Sequence, residues 1–393
     1  MTKREVAAVP WGRLTPSARA ILAEVLLHGP LARAELARRL GLSPASLSKL
    51  TRPLISAGLL TEQGPRTLAE TGRPALPLEV VAERAQVIGV KLNPDTLFAV
   101  RTDMRTRVLE EYECKLERHD PSSVEEAIAL AVAFLDPSLL VDTVGVSLAA
   151  NIRPGDRVVR QAPYMGWSQV PLAEGVERAT RRQVVLTNDV RALTVAQHWF
   201  GVGKQSRCFA VLTVGKGVGC GLVVNNAVVT GYDGHAGLLS HSAINASGPL
   251  CRQGHRGCAS AYLTSGSIIR TLAATDGFHG TTFEDALDAA RQGNAPAQRV
   301  FRDACYALGV LAANIANMIG PDRIVLSGES VEIYETAPKA VEEGISTHVH
   351  WNASPFVLDV QPFAFSEWAR GAASVAVQSL VSSHMHGTPP AHR

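Results

Sequence analysis

A short run of hydroxyl and basic side chains near the N-terminus is the clearest sign of chemistry in this sequence. The segment 41–44, Gly-Leu-Ser-Pro, predicts a tight turn, an N-cap serine and a helix that begins at proline. Hydroxyls near a helix N-terminus can approach phosphates or base edges, and Lys and Arg neutralise phosphate charge. The face that we predict to contact DNA consists of Ser43, Ser46, Ser48, Lys49 and Arg52.

Two further helices and the inward stripe of this third helix would position that face. Apolar spacing predicts helices over 17–27 and 34–40, and it places Leu47, Leu50 and Leu54 on the buried side of the third. Together they predict a helix-turn-helix. The alternative is a three-helix structural bundle with a solvated basic face.

A β-wing is predicted directly after the third helix. A strand begins within 57–60, and Leu76, Leu78 and Val80 alternate along a returning strand. Arg73, held between glycine and proline at the tip or return of the wing, is placed to enter a narrow minor groove. The sequence therefore predicts a winged helix-turn-helix over 1–82.

The distribution of charge agrees with a polyanion partner at one end of the chain. Residues 1–85 carry twelve Lys and Arg against seven Asp and Glu, whereas the remainder carries 26 against 29. A chain of 393 residues, 46% hydrophobic and 19% charged, is long enough for two or three folded domains and is not disordered as a whole. No run approaches the roughly eighteen apolar residues of a membrane span. Six dispersed cysteines indicate a reducing, cytoplasmic location.

The rest of the chain alternates short apolar strands with helices, which predicts an α/β body. Strands are expected over 87–100, 141–148, 184–186, 209–214, 221–224 and 324–326. Helices are expected over 125–135, 268–274, 304–318 and 369–380.

Several motifs in a fixed order make the whole chain resemble the ROK family (repressors, open reading frames and kinases), on its transcriptional-regulator branch. They are Gly72-Arg73-Pro74, Asn188-Asp189-Val190-Arg191-Ala192, the glycine-rich stretch 214–221, the segments 231–241 and 248–258, and the stretch 321–328. The resemblance implies a two-lobed actin/sugar-kinase-like (ribonuclease H-like) body. It also implies a sugar-binding cleft between lobes, used by some members to phosphorylate the sugar and by others to sense it as an inducer.

Kinase activity is not expected, because the first phosphate loop departs from the family's Asp-x-Gly-x-Thr pattern. Lys91 replaces the acid, Asn93 replaces the glycine, and Pro94 removes an amide donor. The second glycine-rich stretch, 215–221, remains, and Asp189 would be the catalytic base in a kinase relative. A ROK sugar kinase with an accessory N-terminal domain is the alternative, which ATP- and sugar-dependent release of ADP would support.

The resemblance also implies an effector site, of which part is retained. Asn188, Asp189 and His241 match the family's sugar ligands. Tyr164, Leu238 and Ser260 stand at three positions that depart from the pattern, and two carboxylates are lost there. We expect a sugar or sugar-phosphate effector bound by the retained residues. One alternative is a different ligand that is less polar, smaller or modified. The other is an effector-independent ROK regulator, in which Asn188 and Asp189 only form a capped helix start.

Zinc is the one cofactor that the resemblance implies. Relatives hold it with one His and three Cys, and His241, Cys251 and Cys258 match three of these ligands. Gln253 replaces the middle cysteine, and His255 within the loop is a candidate substitute. The alternative is a metal-free loop with two reduced thiols.

These observations lead to one expectation for the whole chain. It is a sequence-specific DNA-binding transcriptional regulator, a repressor of carbohydrate-related genes, acting as a homodimer or homotetramer on a palindromic operator. The predicted domains are the winged helix-turn-helix over 1–82, a first lobe over 83–192 completed by 365–385, a second lobe over 193–364, and a flexible tail over 386–393.

Overall fold

The chain folds into two compact units. This computed structural model describes Val9 and residues 11–64, 66–67, 74–275 and 278–382. The first unit comprises residues 1–204 and 365–393, and the second comprises residues 205–364. Among the described residues, no helix combines the length and the apolar character that crossing a membrane requires.

The first unit begins with a winged helix-turn-helix, hereafter the head. Its helices are α1 (Pro16–His28), α2 (Arg33–Leu40) and α3 (Pro44–Ser56). Its strands are β1 (Leu60–Glu62), β2 (Arg66–Thr67), β3 (Pro74–Ala75) and β4 (Leu78–Val80). β1 pairs with β4 and β2 pairs with β3, both antiparallel, so a β-wing follows α3 as the alternating pattern predicts.

The head has its own core, and the inward stripes predicted for it are largely correct. Leu47 and Leu54 are fully buried, but Leu50 is only half-buried and Thr51 takes an inward position beside them. In the wing, Leu78 is buried, whereas the predicted inward Leu76 is 45% exposed. Leu76 precedes β4, so the alternation of a strand does not extend to it.

The remainder of the first unit is an α/β lobe around a mixed five-stranded sheet. Its strands run in the order β11-β8-β5-β6-β7, with β5, β8 and β11 parallel and β6 and β7 antiparallel. The sheet consists of β5 (Gln86–Leu92), β6 (Thr96–Asp103), β7 (Val108–Lys115), β8 (Val141–Leu148) and β11 (Gln183–Asn188). A separate hairpin is formed by β9 (Val159–Ala162) and β10 (Trp167–Val170).

Helices cover both faces of this sheet. One face packs Ile88, Val90 and Val146 against the helices α4 (Pro121–Leu135) and α5 (Leu172–Thr180). The other face is covered by α6 (Asp189–Phe200) and by α13 (Phe365–Val381), which returns to this unit from the end of the chain.

The observed boundary between the two units differs from the predicted one. A border at 192/193 falls inside α6, which is one continuous helix, and the first unit continues to Lys204. Helix α6 packs along α13 with glycine at the contact, so the whole helix stays with the first lobe. The predicted return of the chain near residue 365 agrees with the start of α13.

The second unit is a second α/β lobe, whose sheet runs in the order β14-β13-β12-β15-β16. Its strands are β12 (Phe209–Val214), β13 (Val218–Val224), β14 (Ala227–Val228), β15 (Arg323–Ser327) and β16 (Val357–Val360). Its helices are α7 (Ala259–Leu263), α8 (Ser265–Ala273), α9 (Phe283–Arg291), α10 (Ala295–Ile319), α11 (Ile333–Thr336) and α12 (Pro338–His348). The long α10 carries Phe301 and Leu308 into the core against the sheet. The mixed α/β architecture with a winged helix-turn-helix in front is thereby confirmed.

Candidate functional site

The exposed face of α3 carries most of the residues predicted to contact DNA. Ser46, Ser48, Lys49 and Arg52 all lie on the solvent side of the helix, opposite Leu47 and Leu54. Within the described part of the chain, neither Lys49 nor Arg52 has an ion-pair partner, so both charges face solvent.

Ser43 has a different role, because its side chain caps α3. Its Oγ accepts the Ser46 N–H at 3.1 Å and donates to the Ser46 Oγ at 2.9 Å. This N-cap fixes the start of the helix and orients the Ser46 hydroxyl. Arg73 lies outside the described residues.

The basic residues of α2 differ from those of α3 because they are paired with an acidic neighbour, so the number of basic residues alone does not identify the DNA-binding face. Arg38 and Arg39 both bind Glu35, at 2.6 Å each. They hold the Glu35 carboxyl's pKa below its usual range. Lys49 and Arg52 have no such neighbour among the described residues, where the free positive charge of the helix pair is therefore concentrated on α3.

At the carboxyl edge of the first sheet, Lys91 and Asp189 form a buried ion pair. Lys91 Nζ lies 2.6 Å from Asp189 Oδ2, and both side chains are less than a tenth exposed. The sequence marks both residues by their motifs but does not predict that they pair. The lysine that replaces the family's acid at the end of β5 thus neutralises the carboxylate that would act as the base in a kinase.

Asn188 is occupied by backbone contacts. Its Oδ1 accepts the Arg191 N–H at 3.2 Å, and its Nδ2 donates to the Ala150 carbonyl at 3.2 Å. It therefore caps α6 and ties the helix to the end of β8. Asn188 and Asp189 belong to the first unit, and His241 belongs to the second.

The three positions that depart from the sugar-binding pattern do not compensate for the lost carboxylates. Tyr164 is 50% exposed and Leu238 is 74% exposed, while Ser260 is half-buried next to the start of α7. None of them offers a charged acceptor to adjacent hydroxyls.

The glycine-rich turn between β12 and β13 faces a carboxylate side chain. A Cβ placed on Gly215 would lie 3.2 Å from Glu329 Cβ and 3.3 Å from Glu329 Oε2. Glu329 follows Gly328, whose φ of 115° holds the chain in a conformation that other residues rarely adopt. A negative side chain at this turn opposes the approach of a phosphate.

Four potential metal ligands converge in the second unit. His241, Cys251, His255 and Cys258 place one ligand atom each within 4.8 Å of one another. The two His Nδ1 atoms lie 3.1 Å apart, and the measured S···N distances are 3.5, 3.7 and 3.8 Å. A tetrahedral zinc with bonds of about 2.3 Å to sulfur and about 2.0 Å to nitrogen requires S···N separations of about 3.5 Å and N···N separations of about 3.3 Å.

The electrostatics of this cluster favour a neutral imidazole at His241 and a thiolate at Cys251, but not a thiolate at Cys258. Burial and the neighbouring His255 lower the pKa of His241, which keeps its Nδ1 lone pair available. Burial opposes ionisation of Cys251, but backbone N–H groups at Gln253 and His255 outweigh it and lower the pKa of the thiol. Burial raises the pKa of Cys258. Gln253 hydrogen-bonds His241 instead of supplying a sulfur ligand.

Comparison with known proteins agrees with both parts of the chain. The model of the ROK family matches residues 88–379, and a winged helix-turn-helix DNA-binding model matches residues 14–61. The chain belongs to the ROK family. Its head places it with the DNA-binding members of that family.

Two curated ROK relatives are regulators by name. The DNA-binding transcriptional dual regulator NagC of Escherichia coli K12 is 26% identical over 333 residues, covering 81% of this chain and 82% of NagC. The xylose repressor of Bacillus subtilis strain 168 is 21% identical over 335 residues, covering 84% of this chain and 86% of the repressor.

Solved structures show the same fold. A ROK family transcriptional regulator described as a homolog of the E. coli Mlc protein superposes with a TM-score of 0.78 at 23% identity, over 93% of this chain and 96% of that chain. A ROK glucokinase from Streptomyces griseus, in complex with glucose and AMPPNP, superposes with a TM-score of 0.63 at 24% identity. The match covers 75% of this chain and 100% of the glucokinase chain. The glucokinase matches only three quarters of this chain, whereas the regulator matches nearly all of it.

Proposed function

We propose that this ROK protein is a sequence-specific DNA-binding transcriptional repressor that controls carbohydrate-related genes. The observation that carries the proposal is the unpaired basic face of α3, preceded by a capped turn and followed by a wing. A helix presented in this way enters the major groove with its N-terminal residues at the base edges. Ser46, Ser48, Lys49 and Arg52 are the proposed contacts, Ser43 positions them, and Arg73 is proposed for the minor groove.

The proposed role in controlling carbohydrate-related genes is inferred from the relatives that this chain resembles. NagC and the xylose repressor are regulators, and the latter is named for a sugar. We propose a cytoplasmic location, because a transcriptional regulator acts where the DNA is. We also propose that two copies act together, because paired recognition helices read the two halves of a palindrome.

The effector is proposed to be a sugar derivative with an acidic group, such as a sugar phosphate. A neutral sugar that bound Asp189 would leave Lys91 buried without a partner, which is costly. An anionic group on the ligand would give Lys91 a replacement partner while hydroxyls bind Asp189. Asn188 supports the site through its backbone contacts, and His241 has only its Nε2 for the effector because its Nδ1 faces the metal site.

Zinc is the proposed cofactor, held by His241, Cys251, His255 and Cys258. The agreement of the ligand-to-ligand distances with a tetrahedron supports it, and its role would be to tie the loop 241–258 together. A closed four-ligand site supplies structure and leaves no position for a substrate.

Sugar kinase activity is the alternative that these contacts disfavour. Phosphoryl transfer needs a free base and an unobstructed phosphate cradle. Lys91 neutralises Asp189, and Glu329 lies against the glycine turn of the second unit.

Recovery of genomic DNA fragments by the purified full-length protein tests the proposal. We expect a shared sequence motif upstream of transport or sugar-metabolism genes, recovered at physiological salt. Diffuse binding that disappears as salt rises would contradict it, because non-specific binding is almost wholly electrostatic.

A further inference from the structure

The buried Lys91–Asp189 pair contacts the helix that closes the first unit. Lys91 Nζ lies 5.3 Å from the centre of the Trp368 ring, and Trp368 stands near the start of α13. A cation over an aromatic face at this distance is attracted to it, more strongly when water is excluded. The pair therefore joins three elements: β5, the start of α6 and the start of α13.

α13 packs closely against the first sheet and against α6. A Cβ on Gly89 would lie 2.1 Å from the Ala369 carbonyl oxygen, and one on Gly145 would lie 2.1 Å from the Ala372 oxygen. A Cβ on Gly371 would lie 3.0 Å from the backbone of α6 at Ala192 and Leu193, so this contact is close but looser. Gly89 and Lys91 are two residues apart on β5 and face the same side of the sheet. A shift of Lys91 would therefore act on the face of the sheet that packs against α13.

The far end of α13 is bound to the head. The Leu380 carbonyl accepts a hydrogen bond from Arg19 Nη1 at 2.7 Å, and Arg19 Nη2 donates to the Trp11 carbonyl at 2.7 Å. Arg19 belongs to α1, which packs on α3 in the head core. Trp368 and Leu380 are twelve residues apart, so α13 spans about 18 Å between the ion pair and the head.

A second set of contacts attaches the head independently of α13. Arg105 pairs with Glu79 at 3.3 Å, and Arg84 donates to the Ala57 carbonyl at 2.8 Å. These contacts lie on the side of the wing. We expect them to hold the wing side of the head in place, so that the head would rotate about this side when the end of α13 next to α1 shifts.

We propose that Lys91, Asp189 and α13 form a coupling device that sets the position of the head. Lys91 is a positioning residue in this device: while it pairs with Asp189, Trp368 and α13 are fixed and Arg19 holds α1. A ligand that takes Asp189 separates the pair, and the displaced Lys91 releases α13. The link to DNA rests on the function proposed above, but the mechanical link does not.

Hydrogen exchange of the full-length protein without DNA tests the mechanical link. The variant Lys91→Met/Asp189→Asn removes both charges, so it leaves no buried charge unpaired and should remain folded. We expect amide exchange in α1 to rise by about fivefold or more, in line with ordinary coupling between sites. The control, Arg182→Met/Asp136→Asn, removes another ion pair of the same unit, at 3.1 Å, in which Asp136 is buried and Arg182 is partly buried, without touching Trp368. Unchanged exchange in α1, or an equal rise in the control, would overturn the proposal.

Affinity for the recovered operator tests the link to DNA. We expect Lys91→Met/Asp189→Asn to weaken binding by about fivefold or more, because a loosened head is less preorganised. In an Arg19→Ala background the same pair of changes should have no further effect. An equal loss in both backgrounds would show that α13 is not the route. If exchange in α1 responds but the protein recovers no motif, the coupling stands and the proposed function fails.

Discussion

At the scale of single residues, free charge decides which basic side chains can bind DNA. The head has arginines on both α2 and α3, but Arg38 and Arg39 are already paired with Glu35, whereas Arg52 is exposed and has no ion-pair partner in the part of the chain that the structure describes. Only an unpaired cation releases counterions when it meets a phosphate.

Arg52→Ala should therefore weaken operator binding and lower the slope of log K against log salt by about one. Fluorescence anisotropy across a series of salt concentrations measures both quantities. Arg299→Ala removes the same charge from an exposed site in the second unit and should leave the slope unchanged. If the slope of the Arg52→Ala protein equals that of wild type, Arg52 does not contact phosphate.

The metal cluster also depends on a single residue, because His255 determines whether three or four ligands are present. His255 lies with His241, Cys251 and Cys258, so it can replace the cysteine that Gln253 displaces. Loss of a residue that only supports a ligand already lowers metal affinity by about tenfold to a hundredfold. Because His255 is proposed to be a ligand itself, His255→Ala should lower zinc affinity by at least about tenfold.

Competition with a chromogenic chelator measures that affinity, and elemental analysis gives the zinc content. Gln253→Ala, which changes the same loop without removing a ligand, should keep one zinc per chain. Stoichiometric, tightly held zinc in the His255→Ala protein would show that His255 is not a ligand.

At the scale of elements, the contact between α13 and the sheet depends on glycine. Gly89→Ala places a methyl group 2.1 Å from a backbone oxygen of α13, so strand and helix must separate. We expect a loss of about 1–3 kcal/mol in the free energy of unfolding, the usual cost of overpacking.

Urea denaturation followed by circular dichroism measures this loss. Gly12→Ala is the control, because no atom of the described residues lies within 4 Å of its added Cβ, and it should change stability by less than about 0.5 kcal/mol. Equal midpoints for the two variants would mean that α13 does not pack on β5 as described.

At the scale of the whole molecule, the head determines the symmetry of the DNA site. One α3 helix reads only a few base pairs, so a specific operator needs two heads related by a two-fold axis. The motif recovered from genomic DNA should then consist of two inverted half-sites whose centres are about 34–36 Å apart or a multiple of that distance. A single, non-repeated half-site would indicate that one head acts alone.

Local patterns in the sequence were sufficient for the elements and their order. The capped turn before α3, its leucine stripe, the alternation of α/β segments and the order of the motifs depend only on neighbouring residues, and they predicted the winged head and the ROK body. The free Arg52 followed as well, since exposure on an amphipathic helix is a matter of spacing. Leu50 and Leu76 were misjudged because periodicity gives the mean direction of a face, not how far the core extends.

Contacts between distant segments required the tertiary structure. In the sequence, Lys91 indicates only that the first phosphate loop is lost. Folding brings it against Asp189, 98 residues away, and over the ring of Trp368. Likewise, the sequence offered His255 as a substitute, and folding places its Nδ1 3.1 Å from that of His241. Spacing along the chain determines local faces, whereas distances between side chains from separate strands and loops depend on how the whole core packs.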